Sequence, residues 1–253
     1  MAPTPLPPQA VILAGGLGTR MSPRTTRTPK FLLQVAGRPF GAWLLDRLVE
    51  AGFGEVMLCI SHLGDEIREV IGERWGPLDV RYSDEGPVRL GTAGALRAAL
   101  PSLAPTFLVT YGDSYLPFDY HAPLRDLEEH PAALGTLAVY RNQDRFDASN
   151  TAIREDQVVR YHKRAMTDPP DPELDHIDYG AMALRREVIA ALPEGKVMGL
   201  DAVQQELAAR GRLRAFPVAT RFHEIGSESG LQALEAFLGG AAPVRPAERE
   251  QRS

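Results

Sequence analysis

Between residues 13 and 30 the chain reads LAGGLGTRMSPRTTRTPK, which holds three glycines, two prolines, four basic residues and no acid. Glycines at 15, 16 and 18 allow a turn to present its backbone N–H groups at close range, because no Cβ stands in the way. Arg20 adds a planar fork of donors and Lys30 a compact positive charge, a combination suited to several phosphates at once. Two simpler phosphate-binding patterns fail here. A dinucleotide fingerprint begun at Gly16 would need a glycine where Met21 stands, and no G-x-x-x-x-G-K-[ST] loop occurs. The stretch reads either as a triphosphate site or as a tight turn whose basic side chains are solvated.

A second residue able to do chemistry is Asp113, at the end of the run TFLVTYGD (106–113). A lone carboxylate in that position either caps the following turn or holds a cation. Cys59, within VMLCI, reads as a small buried hydrophobe rather than a reactive thiol. As the single cysteine, it excludes disulfides and cysteine-rich zinc sites.

These residues need a scaffold, and the periodicity of the chain supplies one. Short apolar runs at 10–14, 55–61, 79–83 and 106–113 alternate with segments of helical period at 39–51, 63–74 and 92–100. That alternation predicts βαβ units and a mostly parallel sheet covered on both faces, with ligands beyond the carboxyl ends of the strands. Further strands are expected at 134–141, 150–155, 158–162, 178–184, 213–218 and 222–226, and helices at 185–192, 200–210 and 228–238. The segment DPPDPELDH (168–176) reads as an exposed loop at the rim of a cleft.

At 253 residues, 44% hydrophobic and 24% charged, the composition is that of a globular protein. One domain over 10–240 is expected, between a disordered proline-rich lead (1–9) and a disordered polar tail (241–253). No apolar run approaches the roughly 18 residues that span a bilayer, and the start lacks the order of a secretion signal, so a soluble, cytoplasmic protein is expected. The net charge is −5, yet no acid precedes Asp46 whereas Arg20, Arg24, Arg27, Lys30 and Arg38 all do. Such local positive charge fits a small anion rather than nucleic acid, which calls for a broad basic face.

The run LAGGLGTRMSPRTTRTPKFLL strongly resembles the signature of the sugar-1-phosphate nucleotidyltransferases, L-A-G-G-x-G-T-R-[LM]-x-P followed after several variable residues by P-K. The resemblance continues through LGTAGAL (90–96), VTYGDSYL (109–116), IDYGAMAL (177–184) and FHEIGS (222–227). Its shape is similar to the short mannose- or heptose-1-phosphate guanylyltransferases and the small uridylyltransferases. It implies a Rossmann-like three-layer α/β/α sandwich with a mostly parallel mixed sheet, of the nucleotide-diphospho-sugar transferase type. It also implies transfer of a nucleotidyl group from a nucleoside triphosphate to a sugar 1-phosphate, with pyrophosphate leaving and Mg2+ as cofactor.

The resemblance assigns catalytic roles to Arg20, Lys30 and Asp113. Leu13, Ala14, Gly15, Gly16, Gly18, Thr19, Gly91, Thr92 and Gly112 are implied to bind nucleotide, although Gly91 and Thr92 also suit the cap of the next helix. Asp113 is implied to bind metal, with Glu224 of FHEIG standing where the family usually has Asp; His223 beside it reads as structural. For the sugar phosphate, Lys163 of Tyr161-His162-Lys163-Arg164-Ala165 is favoured over Arg164, and Asp178 and Gly180 stand in place of N-x-G. GTP with a heptose- or mannose-type phosphate is the first expectation. UTP, dTTP or CTP, a non-catalytic nucleotide-sugar sensor and a metal-dependent glycosyltransferase are the alternatives. Expected partners are the two small substrates, with neither nucleic acid nor membrane, and homo-oligomerisation is left open.

Overall fold

The computed structural model describes residues 8–16, 18, 21–22, 24–86 and 88–239. Thr19, Arg20 and the expected tail (241–253) lie outside the described residues, as does the expected lead through residue 7. The chain begins with β1 (Gln9–Leu13), followed by a two-stranded hairpin of β2 (Gln34–Val35) and β3 (Arg38–Pro39) and then α1 (Phe40–Glu50). Next come β4 (Glu55–Ile60), α2 (Gly64–Ile71), β5 (Arg74–Trp75), β6 (Leu78–Asp84), α3 (Gly91–Ala99) and β7 (Thr106–Tyr111). The middle of the chain adds β8 (Ser114–Tyr115), α4 (Ala122–Glu129), β9 (Gly135–Arg141), β10 (Thr151–Arg154), β11 (Gln157–Tyr161) and β12 (His176–Arg185). It closes with α5 (Arg186–Ala190), α6 (Leu200–Ala209), β13 (Leu213–Val218), β14 (His223–Glu224) and α7 (Glu228–Gly239).

The main sheet runs β10-β11-β13-β9-β12-β7-β1-β4-β6-β5. Parallel ladders join β7, β1, β4 and β6, and a further one joins β9 to β13. Between these two blocks β12 runs antiparallel to both β7 and β9, which makes the sheet mixed. Alternate residues of the central strands enter opposite layers. Ala10 and Ile12 of β1, with Val56, Leu58 and Ile60 of β4, pack in one core with α1, α2 and α7. Val11, Met57 and Cys59 pack in the other, with α3 and α6. Both faces are thereby covered, giving the α/β/α sandwich implied by the resemblance. Among the described residues no helix is long and apolar enough to cross a membrane.

Three local expectations change. Gln9 does not belong to a disordered lead: it pairs in β1 and is buried, its side-chain amide donating to the Ser102 carbonyl and accepting from the Ala104 N–H. A buried amide satisfied on both ends behaves as part of the sheet. The helix expected over 63–74 stops at Gly72, whose φ of 73° ends it and lets Arg74–Trp75 turn back onto β6. The strand expected over 222–226 shrinks to His223–Glu224, which pairs with Ser114–Tyr115 outside the main sheet. Helix α4 was not anticipated, because its eight residues bury only Ala122, Pro123 and Leu127, too few for a clear period.

Near the first loop, Gly41 in the opening turn of α1 lies flat against the buried ring of Phe31, where any Cβ would overlap the ring. Gly41→Ala should therefore destabilise the fold by about 1–3 kcal/mol through overpacking, despite alanine's better helix propensity. Denaturant titration of the two proteins checks this, and a stabilised variant would contradict the packing described.

Candidate active site

A cavity of about 280 Å3 lies beyond the carboxyl ends of β1, β4 and β7. Leu13, Ala14, Gly15, Gly16 and Gly18 line it from the end of β1, and Tyr111, Gly112 and Asp113 from the end of β7. Gly91 and Thr92 contribute from the start of α3, and Lys30, Phe31, Cys59, Glu85 and Arg89 complete the wall. Every described residue expected to bind nucleotide thus meets in one place.

The glycines have different physical reasons to be there. A Cβ on Gly112 would stand 2.9 Å from the Leu13 carbonyl oxygen and 3.0 Å from the Ala14 Cα, so only glycine lets the two strand ends come this close. The Gly112 N–H donates to that same carbonyl at 2.9 Å. Gly18 has a φ of 62°, and its carbonyl accepts from both the Thr25 hydroxyl and the Met21 N–H, which folds the loop back on itself. Among the described residues nothing lies within 4 Å of a would-be Gly16 Cβ, which leaves its backbone room for a ligand.

Lys30 and Asp113, 83 residues apart, form an ion pair of 2.7 Å between Nζ and Oδ2. The lysine side chain is 12% exposed and the aspartate 34%, so both charges are partly removed from water and depend on each other. Buried Phe31, the next residue, anchors the lysine from one side. On the other side, the Ile225 N–H donates to the Asp113 carbonyl at 3.0 Å, and Glu224 pairs with Ser114 across the small β8–β14 sheet. Asp113 and Glu224 therefore project from adjacent backbone positions. Among the described residues no group of three or more His, Cys, Asp or Glu side chains forms a metal cluster. Two carboxylates fit a hard cation that keeps waters and phosphate oxygens as its other ligands, as magnesium does.

At the other flank, the Gly91 φ of 75° and a 2.6 Å approach of the Met198 carbonyl to a would-be Cβ both demand glycine. Two N–H groups of the first turn of α3, those of Ala93 and Gly94, donate to that Met198 carbonyl, and the Thr92 hydroxyl accepts from the Leu200 N–H. The start of α3 is thus committed to holding the segment before α6, while Gly91 and Thr92 still face the cavity. Burial pushes the Cys59 thiol up to about 12, with the Glu85 carboxylate adding to the effect, so it stays a neutral wall of the site.

The residues expected at the sugar phosphate do not line this cavity. Lys163 is exposed just after β11, whereas Arg164 is committed to the scaffold, its guanidinium donating to Asp144, the Ser149 carbonyl and the Pro169 carbonyl. Asp178 Oδ1 accepts from the Gly180 N–H, and Oδ2 accepts from Gln204 at 2.7 Å and the Tyr161 hydroxyl at 3.3 Å. These bonds set the irregular turn in β12 where Gly180 takes a φ of 96°. Desolvation raises the Asp178 carboxyl above its ordinary range, outweighing the three bonds. Burial also raises the Tyr111 phenol well above its ordinary value, reinforced by Asp178, Asp113, Asp201 and Glu224. His223 packs its ring 4.5 Å from that of Phe237, and burial lowers its pKa, in keeping with a structural role.

Residues 10–194 match the family model described as the MobA-like NTP transferase domain. The chain belongs to that family. Among curated relatives, the N-acetylmuramate alpha-1-phosphate uridylyltransferase of Neisseria meningitidis serogroup B is 41% identical over 131 residues, 49% of this chain and 56% of the relative. The mannose-1-phosphate guanylyltransferase of Mycobacterium tuberculosis is 31% identical over 242 residues, 92% of this chain and 66% of the relative. The chain thus spans between about half and two thirds of the length of these relatives. The crystal structure of HddC from Yersinia pseudotuberculosis complexed with GMP-PN superposes with a TM-score of 0.75 at 23% identity, covering 91% of this chain and 99% of that one. This likeness establishes a common fold. Glu85 and Arg89 are the charged lining residues that the sequence reading missed, along with Phe31, Ala95 and Tyr111; the only signal for Glu85 and Arg89 was a position between a strand and the LGTAGAL run.

The raised Asp178 carboxyl has a consequence for stability. Folding favours its neutral form, while the unfolded chain ionises near the ordinary carboxyl value of about 3.9. Its contribution to stability is therefore greatest below that pH and declines as pH rises toward the folded value. A neutral Asp178 can also donate to Gln204 Oε1, a buried acceptor with no partner among the described residues, once that amide turns over. Asp178→Asn should keep the fold and gain stability relative to the parent as pH rises above about 4, the ordinary carboxyl value. Denaturation midpoints across that range measure it, and a relative stability that falls with pH would show the carboxyl to be held ionised.

Proposed function

We propose that the chain transfers a nucleotidyl group from a nucleoside triphosphate to a sugar 1-phosphate, releasing pyrophosphate. The observation that carries this reading is the Lys30–Asp113 pair at the wall of a cavity whose floor is the glycine turn after β1. GTP with a heptose- or mannose-type phosphate is the first reading, supported by the guanylyltransferase relative that covers most of the chain. The higher identity to a uridylyltransferase over half of the chain favours UTP as the second.

In this reading an oxygen of the sugar phosphate attacks the α-phosphorus. The new P–O bond forms as the bond to the α–β bridging oxygen breaks, and pyrophosphate leaves with the electron pair. Such a transfer needs little covalent help from the protein; it needs two polyanions held in line and their charge compensated. Backbone at Gly15, Gly16 and Gly18 approaches the phosphates, with Arg20 assigned beside them. Lys30 leaves Asp113 to meet the triphosphate and the developing charge on pyrophosphate. Asp113 and Glu224 would hold the magnesium ion, which when bound supplies electrophilic stabilisation of the phosphate oxygens. Lys163 and the backbone at Gly180 are assigned to the sugar phosphate, with Asp178 positioning Gly180 through its hydrogen bond.

Pyrophosphate release is the direct test, with four nucleoside triphosphates crossed against a panel of sugar 1-phosphates, with and without magnesium. Metal-dependent release with one sugar class is expected; silence across the panel would favour a nucleotide-sugar sensor with the same fold. Lys30→Ala and Asp113→Asn should each lower turnover by about a hundredfold or more, because each removes charge stabilisation at the reacting phosphates. Near-parental rates with unchanged circular dichroism would refute the role of the residue concerned.

A further inference from the structure

The glycine turn after β1 leaves strand geometry at one peptide, and one side chain holds it there. In a parallel sheet successive residues direct their backbone groups alternately to the two neighbouring strands. The Leu13 carbonyl accepts from the Gly112 N–H on the β7 side, and the Ala14 N–H donates to the Cys59 carbonyl on the β4 side. By that alternation the Gly15 carbonyl is due on the β7 side. It lies instead on the β4 side, where it accepts from the Ser61 hydroxyl at 2.7 Å.

Ser61 follows the last residue of β4 and is buried. Its own carbonyl accepts from the Gly64 N–H at 2.9 Å, so its backbone is fixed by the turn that starts α2. The fit around Gly15 is close, because a Cβ there would stand 2.8 Å from Ser61 Oγ and 3.3 Å from Glu85 Oε1. A trans peptide points its C=O and its N–H in opposite directions. With the Gly15 carbonyl held toward Ser61, the Gly16 N–H faces the β7 flank, where Lys30 and Asp113 line the cavity. Glu85 puts its negative charge on the β4 side of the turn, so an anion is favoured on the Lys30 side.

We infer that Ser61 is a positioning residue for phosphate, its hydroxyl holding the Gly15–Gly16 peptide in the orientation that aims the Gly16 N–H at an anion beside Lys30. The inference rests on the proposed nucleotide site and adds the side chain that sets one of its backbone donors. Without the hydroxyl the Gly15 carbonyl loses its partner. The peptide, with a glycine on each side of it, is then free to rotate back toward the strand orientation, which turns the N–H away from phosphate.

The test is equilibrium binding of inorganic tripolyphosphate, GTP and UTP to the full-length protein and to Ser61→Ala, well below the melting transition. A variant that is merely destabilised is still folded there and binds as the parent does. Tripolyphosphate carries the phosphates without a base, so it reads the turn alone. Ser61→Ala should bind every ligand that the parent binds about five- to twentyfold more weakly, the cost of one hydrogen bond left unmade. In the NMR spectrum of the parent, the Gly16 amide proton should move downfield when tripolyphosphate binds, and Ser61→Ala at saturation should lose most of that movement. Parental affinity in Ser61→Ala, or a saturated parent whose Gly16 amide does not move, overturns the inference and leaves the proposed function standing. Failure of the folded parent to bind any of the three ligands would sink both.

Discussion

Charge that must be held near phosphate, and held there before phosphate arrives, is the constraint on which the arrangement depends. The protein meets it by pairing Lys30 with Asp113 across the mouth of the cavity. Neither ion is fully solvated, and a lone buried charge would be costly, so each keeps the other in place. The pair also fixes the distance between two segments that are remote in sequence, the loop after β1 and the end of β7. Under the proposed function, a polyanion takes over the lysine and the aspartate is released for a cation. One contact thus keeps the empty site neutral and, under the proposed function, divides into the two charges that the transfer needs.

The sheet explains why those two segments meet at all. Strands β1 and β7 are parallel neighbours, so their carboxyl ends open on the same side, and Gly112 removes the side chain that would push them apart. Parallel pairing continues through β4 to β6, which carries the cavity from the phosphate-binding turn to Glu85. Past β7 the antiparallel β12 breaks the pattern, and its irregular turn at Asp178 to Gly180 lies against Tyr111 on the far side of the cavity wall. Under the proposed function, nucleotide and sugar would accordingly fall to different halves of the sheet, the regular parallel one and the antiparallel one.

How far the sequence revealed this follows from the same division. The parallel half consists of local βαβ units whose strands are continuous apolar runs, such as EVMLCI, and whose helices have clear period, so β1, β4, β6 and β7 were legible to within a residue or two. The glycine turn and Asp113 were legible because their residue types are unusual for their places. What was hidden depends on contacts between distant segments. Nothing local announces that Lys30 meets Asp113, that Arg164 is tied to Asp144, or that two N–H groups of the first turn of α3 go to Met198. Glu85 was hidden for a related reason: an acid after a strand looks like any solvated loop residue until the cavity beside it is known. Gln9 misled in the opposite way, since its proline-rich surroundings masked a buried side chain that joins β1 to the 102–104 turn.

The commitment of the start of α3 bears on how the site recognises its ligand. A helix N-terminus beside a phosphate-binding turn would ordinarily offer its free N–H groups to the anion. Here the N–H groups of Ala93 and Gly94 are already taken by the Met198 carbonyl, and the Thr92 hydroxyl supports Leu200, so part of the helix start is given to joining α3 to α6. Under the proposed function, phosphate binding falls chiefly to the turn after β1 and its cations. That leaves the α3 flank uncharged apart from Glu85 and Arg89, with Gly91 keeping the backbone low and Glu85 pinned by the Leu90 N–H. Under the proposed function, the two N–H groups given to Met198 are withdrawn from the phosphates, which leaves the turn after β1 as their main backbone support.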